Sequence, residues 1–109
     1  MITWNDFEKL NIRTGTIVEI EDFPQARNPS YRLQIDFGPW GIKQSAAQIT
    51  KHYRKEQLLG KQIIAVVNFP PKQIANFISE CLVLGVYAEN NDVILLNPDK
   101  KTPNGSKIG

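Results

Sequence analysis

The sequence predicts an all-β domain, a small barrel of five short strands preceded by a short helix. Apolar residues recur at alternate positions in several short segments, and glycine or proline separates those segments. One stretch in the middle of the chain departs from this alternation. The chain has 109 residues, of which 41% are hydrophobic, a length and composition typical of one domain with one core. We therefore expect a single domain over residues 1–109.

Residues 1–10 predict a brief helix. Thr3 can cap its first turn, and Asp6 follows three residues later, as in a capping box. Trp4, Phe7 and Leu10 recur at helical spacing, so the helix has an apolar face. This face packs either on the barrel of its own chain or on a second copy of the chain in a two-fold contact.

The first two strands are predicted from period-two alternation. Over residues 12–20, the β-branched residues at even positions are expected on one side of the strand. Gly15 within this strand indicates a bulge or a bend. The second strand is expected to bury one face, which is formed by Tyr31, Leu33, Ile35 and Phe37.

The remaining segments predict further strands, a helical insert and a C-terminal extension. Residues 42–47 predict a third, amphiphilic strand, and residues 48–60 predict a short helical insert. Residues 62–68 are apolar on both faces and predict a central fourth strand. A fifth strand is expected over residues 81–87, with a further short one at 93–96 and a C-terminal extension from residue 97. This is the order of an OB-fold, a barrel that commonly binds nucleic acid, although fold alone does not set function.

Residues 68–80 are the best candidate for a recognition loop. Pro70 and Pro71 end the preceding strand, because neither can donate a ladder hydrogen bond. The loop carries a cation, amides, a hydroxyl and aromatic rings, and it lies between two buried strands. Such chemistry on a loop held by a rigid scaffold is typical of a binding surface.

Charge is unevenly distributed along the chain, whose formal net charge is +2. Residues 1–40 carry a net charge of −2 and residues 41–109 carry +4. The densest basic segment is residues 51–55, in which an aromatic residue lies among the cations. This pattern suits a phosphate backbone and a stacking platform, but it also fits the solvated face of a short helix.

Neither a catalytic site nor a metal site is predicted. A single histidine, His52, and a single cysteine, Cys81, are too few to hold a metal ion. Phosphate-loop, dinucleotide-loop and nucleophile-elbow motifs are absent from the sequence. Cys81 lies in an apolar run, so we expect a buried and unreactive thiol. We expect no cofactor.

The sequence also indicates a cellular location. One cysteine excludes an internal disulfide and fits a reducing compartment. The longest apolar run is about five residues, far below the roughly 20 that a membrane-spanning helix needs. No secretory signal is visible. We expect a cytoplasmic protein that does not insert into membranes.

Several motifs resemble the tRNA-binding domain family. Residues 6–18 and 23–27 resemble its first two elements. A second group of motifs is closer to one branch of the family, the CsaA-type, export-related chaperones of bacteria; they are residues 41–50, 67–71, 79–80 and 103–109. Together these motifs cover nearly the whole chain.

This resemblance implies an OB-fold protein that acts without catalysis as a homodimer, joined through residues 1–10 and 97–109. The implied dimer residues are Trp4, Phe7, Leu10, Pro103, Asn104 and Gly105. The resemblance implies binding of tRNA by its shape and its phosphates. The alternative is a chaperone that holds unfolded or pre-export polypeptides and cooperates with the secretion machinery, and the two roles can coexist.

The resemblance also assigns candidate RNA contacts. They are Lys43, Ser45, Asn68, Lys72 and Ser79. Lys72 would contact a phosphate as a point charge, and Ser79 would donate to phosphate or sugar. Asn68 either reads a base edge or caps the loop backbone.

The loop departs from the family in a direction that favours polypeptide over RNA. Gln73 and Ile78 occupy positions that are often basic in the family, and each missing cation removes about one released counterion. The candidate peptide contacts are Phe69, Phe77 and Ile78, which with Ile74 are expected to form one apolar surface. Alternatively, Ile74 and Phe77 anchor the loop to the barrel.

Overall fold

A computed structural model describes residues 1–109 and confirms the predicted OB-fold barrel. Five antiparallel strands form the main sheet in the order β3-β2-β1-β4-β7, and two small hairpins, β5-β6 and β8-β9, project from it. The elements are α1 Trp4–Glu8, β1 Ile12–Asp22, β2 Tyr31–Asp36, β3 Ile42–Ala47, α2 Lys55–Leu58, β4 Gln62–Val66, β5 Lys72–Ile74, β6 Phe77–Ser79, β7 Leu82–Val83, β8 Gly85–Tyr87 and β9 Val93–Leu95. None of the helices is long and apolar enough to cross a membrane.

The N-terminal helix begins with the predicted capping box. The backbone N–H of Thr3 donates to Asp6 Oδ2 at 2.9 Å, and the N–H of Asp6 donates to Thr3 Oγ1 at 3.3 Å. The bond from the Thr3 backbone lowers the pKa of the Asp6 carboxyl, because it stabilises the ionised form. Leu10 lies beyond the end of the helix, which closes at Glu8.

Strand β1 is long enough to pair with two partners. Residues 12–16 pair with β4, and residues 16–22 pair with β2. The register with β2 shifts between Ile17 and Glu19, so the bulge lies at Val18 and not at Gly15. Before the bulge the odd position Ile17 faces the core, and after it the even position Ile20 packs against the same core. The prediction that the even positions share one side is therefore wrong.

Gly15 is required by close packing. An added Cβ would lie 2.7 Å from Ile35 Cγ2 and equally close to the ring of Phe37. Ile35 lies on β2 and Phe37 directly follows it, and the burial predicted for Tyr31, Leu33, Ile35 and Phe37 is confirmed for all four. Gly15 therefore lets β1 approach the core side chains of the neighbouring strand.

The barrel closes between β3 and the chain that leaves β6. The N–H of Glu80 donates to the carbonyl of Gln44 at 2.8 Å. The N–H of Gln44 donates to Glu80 Oε1 at 3.0 Å. The hydroxyl of Ser45 donates to the carbonyl of Cys81 at 3.1 Å. Backbone and side-chain hydrogen bonds thus join β3 to the segment just before β7, the two strands at the ends of the sheet order.

Three predicted boundaries differ from the structure. The fifth strand, expected over residues 81–87, divides into β7, which pairs with β4, and β8, which pairs with β9. Residues 68–80 contain the β5-β6 hairpin and are not an irregular loop. The helical insert is confined to α2, where Leu58 is buried while Leu59 is exposed.

The C-terminal extension docks on β1 of its own chain. Thr14 exchanges backbone hydrogen bonds with Gly105 and Ser106, at 2.7 and 3.0 Å, and the N–H of Ile108 donates to Ile12 at 2.9 Å. Asn104 Oδ1 accepts from the Thr16 hydroxyl at 2.7 Å. The extension therefore covers the edge of β1 that β2 leaves free, which satisfies backbone groups that would otherwise be unpaired.

We predict that Gly15→Ala destabilises the barrel by about 1–3 kcal/mol, the usual cost of adding a methyl group to a packed core. Chemical denaturation followed by tryptophan fluorescence would measure the change. Gly109→Ala is the control, because an added Cβ there meets nothing within 4 Å. Equal unfolding midpoints for the two variants would contradict the close packing described for Gly15.

Candidate functional site

An apolar groove lies between the two hairpins. Its volume is about 860 Å³, and 11 of its 17 lining residues are hydrophobic. Phe69 and Ile74 contribute from the β5-β6 side, Tyr87 and Val93 contribute from the β8-β9 side, and Leu82 lies between them. The volume is within the range of ligand pockets in proteins, roughly 300–1,000 Å³. The groove is therefore the principal candidate binding site.

The β5-β6 wall of the groove is fixed by its own turn and by β3. Ala75 adopts φ 53°, a left-handed conformation that reverses the chain between the two strands. Gln44 Nε2 donates to the carbonyl of Ile78 at 2.7 Å, and the N–H of Ala46 donates to Ser79 Oγ at 3.4 Å. These bonds fasten the hairpin to the barrel, so this wall is a pre-formed part of the site.

The structure places the candidate RNA contacts in different environments, and not all of them lie at the groove. Lys72 is exposed, lines the groove and forms no ion pair. Ser79 is half-buried at the groove, and its hydroxyl donates to the carbonyl of Cys81 at 3.3 Å. Lys43 is half-buried on β3 and does not line the groove. Ser45 is only 1% exposed. Its hydroxyl serves barrel closure and has no surface for RNA, so we correct that assignment.

Asn68 caps backbone groups, but these groups lie between α1 and β1 and not in the loop, where the second predicted role placed them. Its Nδ2 donates to the carbonyl of Lys9 at 2.8 Å, and its Oδ1 accepts from the N–H of Asn11 at 2.8 Å. The side chain therefore ties the exit of β4 to the segment between α1 and β1. The amide keeps one further donor and one further acceptor position, so a base contact would have to share the side chain with these two bonds.

The predicted apolar surface of the loop is not continuous. Phe69 is 47% exposed and lines the groove, as does Ile74. Phe77 instead packs on the buried ring of Phe23, with the ring centroids 5.4 Å apart. Ile78 is 43% exposed but pairs with Gln73 on the hairpin and does not line the groove. The groove contacts are thus Phe69 and Ile74, and Phe77 anchors the hairpin.

The basic segment at residues 51–55 lies beside the groove but is largely paired with acids. A second, polar pocket contains Lys51 and His52 and shares lining residues with the groove. Both side chains contact the Asp92 carboxylate at 3.3 Å. Lys55 contacts Asp22 at 2.9 Å, and this hydrogen bond raises the pKa of Lys55. The segment therefore offers less free positive charge than its sequence indicates.

Cys81 lies in the groove wall as a buried thiol, as predicted. Desolvation raises its pKa to about 12, because burial disfavours the thiolate. The thiol is therefore protonated at neutral pH and is a poor nucleophile. No group of three or more His, Cys, Asp or Glu side chains is placed to hold a metal ion.

The candidate dimer residues form two groups. Trp4 is 86% exposed, Leu10 is 36% exposed, and Phe7 is half-buried. Pro103 is exposed, whereas Asn104 and Gly105 are half-buried where the C-terminal extension docks on the barrel. The apolar face of α1 is therefore not fully covered by its own chain.

Sequence reasoning missed the β8-β9 wall of the groove. Gly85 was an available signal for the break in the predicted fifth strand. An added Cβ there would collide with Val93, so the two strands of this hairpin approach closely at that point. The position of the wall depends on contacts between Tyr53 and Leu95, whose N–H donates to the tyrosine hydroxyl at 3.0 Å.

Comparisons with known proteins agree with the observed OB-fold. Residues 12–107 match the family model described as "Putative tRNA binding domain". The methionine–tRNA ligase of Methanococcoides burtonii is 38% identical over 109 residues, which are 99% of this chain and 16% of the ligase. The chain thus spans about a sixth of the length of that relative.

Two solved structures are similar over the full chain. The crystal structure of chaperone CsaA from Bacillus anthracis str. Ames is 55% identical with a TM-score of 0.96, covering 100% of this chain and 99% of that one. The CsaA chaperone protein from Picrophilus torridus is 57% identical with a TM-score of 0.93, covering 100% of both chains.

We predict that Asn68→Ala lowers the free energy of unfolding by about 1–3 kcal/mol, because it removes two hydrogen bonds that each contribute about 0.5–1.5 kcal/mol. Thermal or chemical unfolding would measure the loss. The control is Asn76→Ala, since the Asn76 side chain is exposed and forms no hydrogen bond within the chain. If the Asn68 variant kept full stability and lost RNA affinity alone, the capping role would be refuted.

Proposed function

The chain belongs to the tRNA-binding domain family, and we propose that it is a non-catalytic homodimer whose groove holds segments of unfolded polypeptide. The observation that carries this proposal is the apolar groove of about 860 Å³ between the two hairpins. An apolar concavity of this size, open to solvent, is typical of a binding site. The similarity to two CsaA chaperones supports the same function.

The chemistry of the groove suits polypeptides of varied sequence. Its apolar walls can bury a bulky side chain, and that burial does not depend on one sequence. The charged residues that line it, Lys72 and Glu80, are of opposite sign. An unfolded chain exposes apolar side chains that a folded protein buries, so such a groove favours unfolded over folded chains. Binding of this kind should depend little on salt.

The homodimer is part of the proposal. The uncovered side chains of α1, above all Trp4, offer an apolar patch that a second copy can bury. The C-terminal extension is firmly docked and provides a rigid surface beside the barrel. A dimer would present two grooves, which strengthens the hold on a long client by multivalency.

Binding of tRNA is a second candidate function, and membership of the family favours it. Lys72 is the free cation at the groove, while Lys51 and Lys55 are engaged by acids. A cytoplasmic location would bring the protein into contact with both tRNA and newly made polypeptides. Where those polypeptides await export, cooperation with the secretion machinery would follow.

We predict that Phe69→Ser weakens the holding of unfolded polypeptide. Loss of a bulky apolar contact costs about 1.5 kcal/mol, which corresponds to roughly tenfold weaker binding. The measurement is the concentration of protein that halves the aggregation of a chemically unfolded client. The result should change little between low and moderate salt.

The control for this experiment is Ile78→Ser. Ile78 and Phe69 are similarly exposed, at 43% and 47%, but only Phe69 lines the groove. The Ile78 variant should therefore hold its client as well as the wild type. Equal losses in the two variants would indicate general surface stickiness, and an absence of protection by the wild type would refute the function itself.

We predict that Trp4→Ser weakens the dimer by about 30-fold, the effect expected when a central tryptophan of about 2 kcal/mol is removed from an interface. Sedimentation equilibrium would measure the dissociation constant. Leu59→Ser is the control, since Leu59 is 60% exposed and belongs to neither proposed dimer element. A wild type that sediments as a monomer at all concentrations would refute the dimer.

A further inference from the structure

Three unpaired lysines lie in one segment, the C-terminal extension, which contains none of the candidate RNA contacts named above. Three lysines of the C-terminal extension, Lys100, Lys101 and Lys107, are exposed and form no ion pair. By contrast, Lys51 contacts Asp92 and Lys55 contacts Asp22. Residues 97–109 contain only one acid, Asp99. The extension is therefore the part of the chain with the most available positive charge.

The extension that carries these lysines is attached to the barrel by hydrogen bonds. The N–H of Thr102 donates to Gln62 Oε1 at 3.0 Å, and Gln62 Nε2 donates to the carbonyl of Thr102 at 2.7 Å. This two-point attachment to β4 comes directly after Lys100 and Lys101. Lys107 lies in an antiparallel bridge with Arg13 of β1. Cations on an ordered segment lose less freedom on binding than cations on a mobile one.

The part of β1 that pairs with β2 carries acidic groups. Glu19 and Glu21 are exposed on β1, opposite Gln34 and Arg32 of β2. The guanidinium of Arg32 contacts Glu21 Oε2 at 2.8 Å, so it neutralises one of the two carboxylates. Oligonucleotides commonly bind OB-folds on strands 2 and 3. In this chain the unpaired carboxylate of Glu19, next to β2, disfavours phosphate there.

We propose that folded RNA docks through its phosphate backbone on the C-terminal extension, with Lys100, Lys101 and Lys107 as the contacts, on either side of the proposed dimer residues 103–105. This inference rests on tRNA binding, the second candidate function. Lysine is suited to such contacts because it meets phosphate as a point charge, without fixed geometry. The contacts position an RNA by its shape and read no base sequence.

The test compares two double variants that lose the same charge. Lys100→Ala with Lys101→Ala removes two free cations, whereas Lys51→Ala with Lys55→Ala removes two cations already paired with acids. Binding of bulk tRNA is measured by fluorescence anisotropy over a series of salt concentrations. Loss of two phosphate contacts reduces the salt slope by about 1.4–1.8 and the affinity at 0.1 M salt by about 25- to 60-fold.

The control pair should bind tRNA within a few-fold of the wild type and keep its salt slope. Lys107→Ala alone should reduce the slope by about 0.7–0.9. Equal losses in the two double variants would overturn the inference, because net charge and not the extension would then explain binding. Sedimentation of each variant checks that the dimer is unchanged.

The experiment also separates the inference from the function on which it rests. Should wild-type protein fail to bind tRNA at low salt, tRNA binding is refuted and the inference falls with it. If the wild type binds and the extension variant binds equally well, the inference alone is refuted. The aggregation assay provides an independent readout, and the extension variant should protect its client as the wild type does.

Discussion

The closure of the barrel between Gln44 and Glu80 is the interaction on which the rest of the structure depends. The two residues exchange hydrogen bonds, from the Glu80 N–H to the Gln44 carbonyl and from the Gln44 N–H to the Glu80 carboxylate. Without this junction, β3 would be a free edge and the core side chains of β2 would be open to solvent on one side. The junction also fixes the start of the β5-β6 hairpin, which is one wall of the groove. Fold and site therefore share one constraint.

That constraint gives two serines near the groove a structural role. Ser45 and Ser79 both donate to the carbonyl of Cys81, where the chain enters the barrel wall. A buried carbonyl left without a partner costs free energy, so the chain places hydroxyls there. Serine in a strand near a binding loop looks the same in sequence, whether it faces a ligand or closes a barrel. For Ser45 the distinction depends on a partner 36 residues away in the sequence.

The features that could be predicted from the sequence depend on interactions between residues that are close together in the chain. The capping box of α1 and the buried face of β2 depend on residues within a few positions of each other, and both were predicted correctly. The phase of β1 was not, because the bulge at Val18 and the docking of the extension on Thr14 involve distant segments. The candidate site shows the same division: Asn68 bonds to Lys9 and Phe77 packs on Phe23, and neither contact leaves a periodic trace in the sequence.

Whether a cation is free also depends on contacts between segments that are distant in the sequence, and this affects the proposed function. A run of cations in sequence predicts a phosphate site only where no acid reaches it, and here Asp22 and Asp92 reach Lys55 and Lys51 from distant parts of the chain. Three cations that stay free lie on the docked extension, outside the lining of the groove, which itself contains one free cation, Lys72. An apolar groove and a cationic extension bind by different forces, since burial of apolar surface is insensitive to salt and counterion release is not. The two surfaces can therefore act separately, and an RNA on the extension need not displace a polypeptide from the groove.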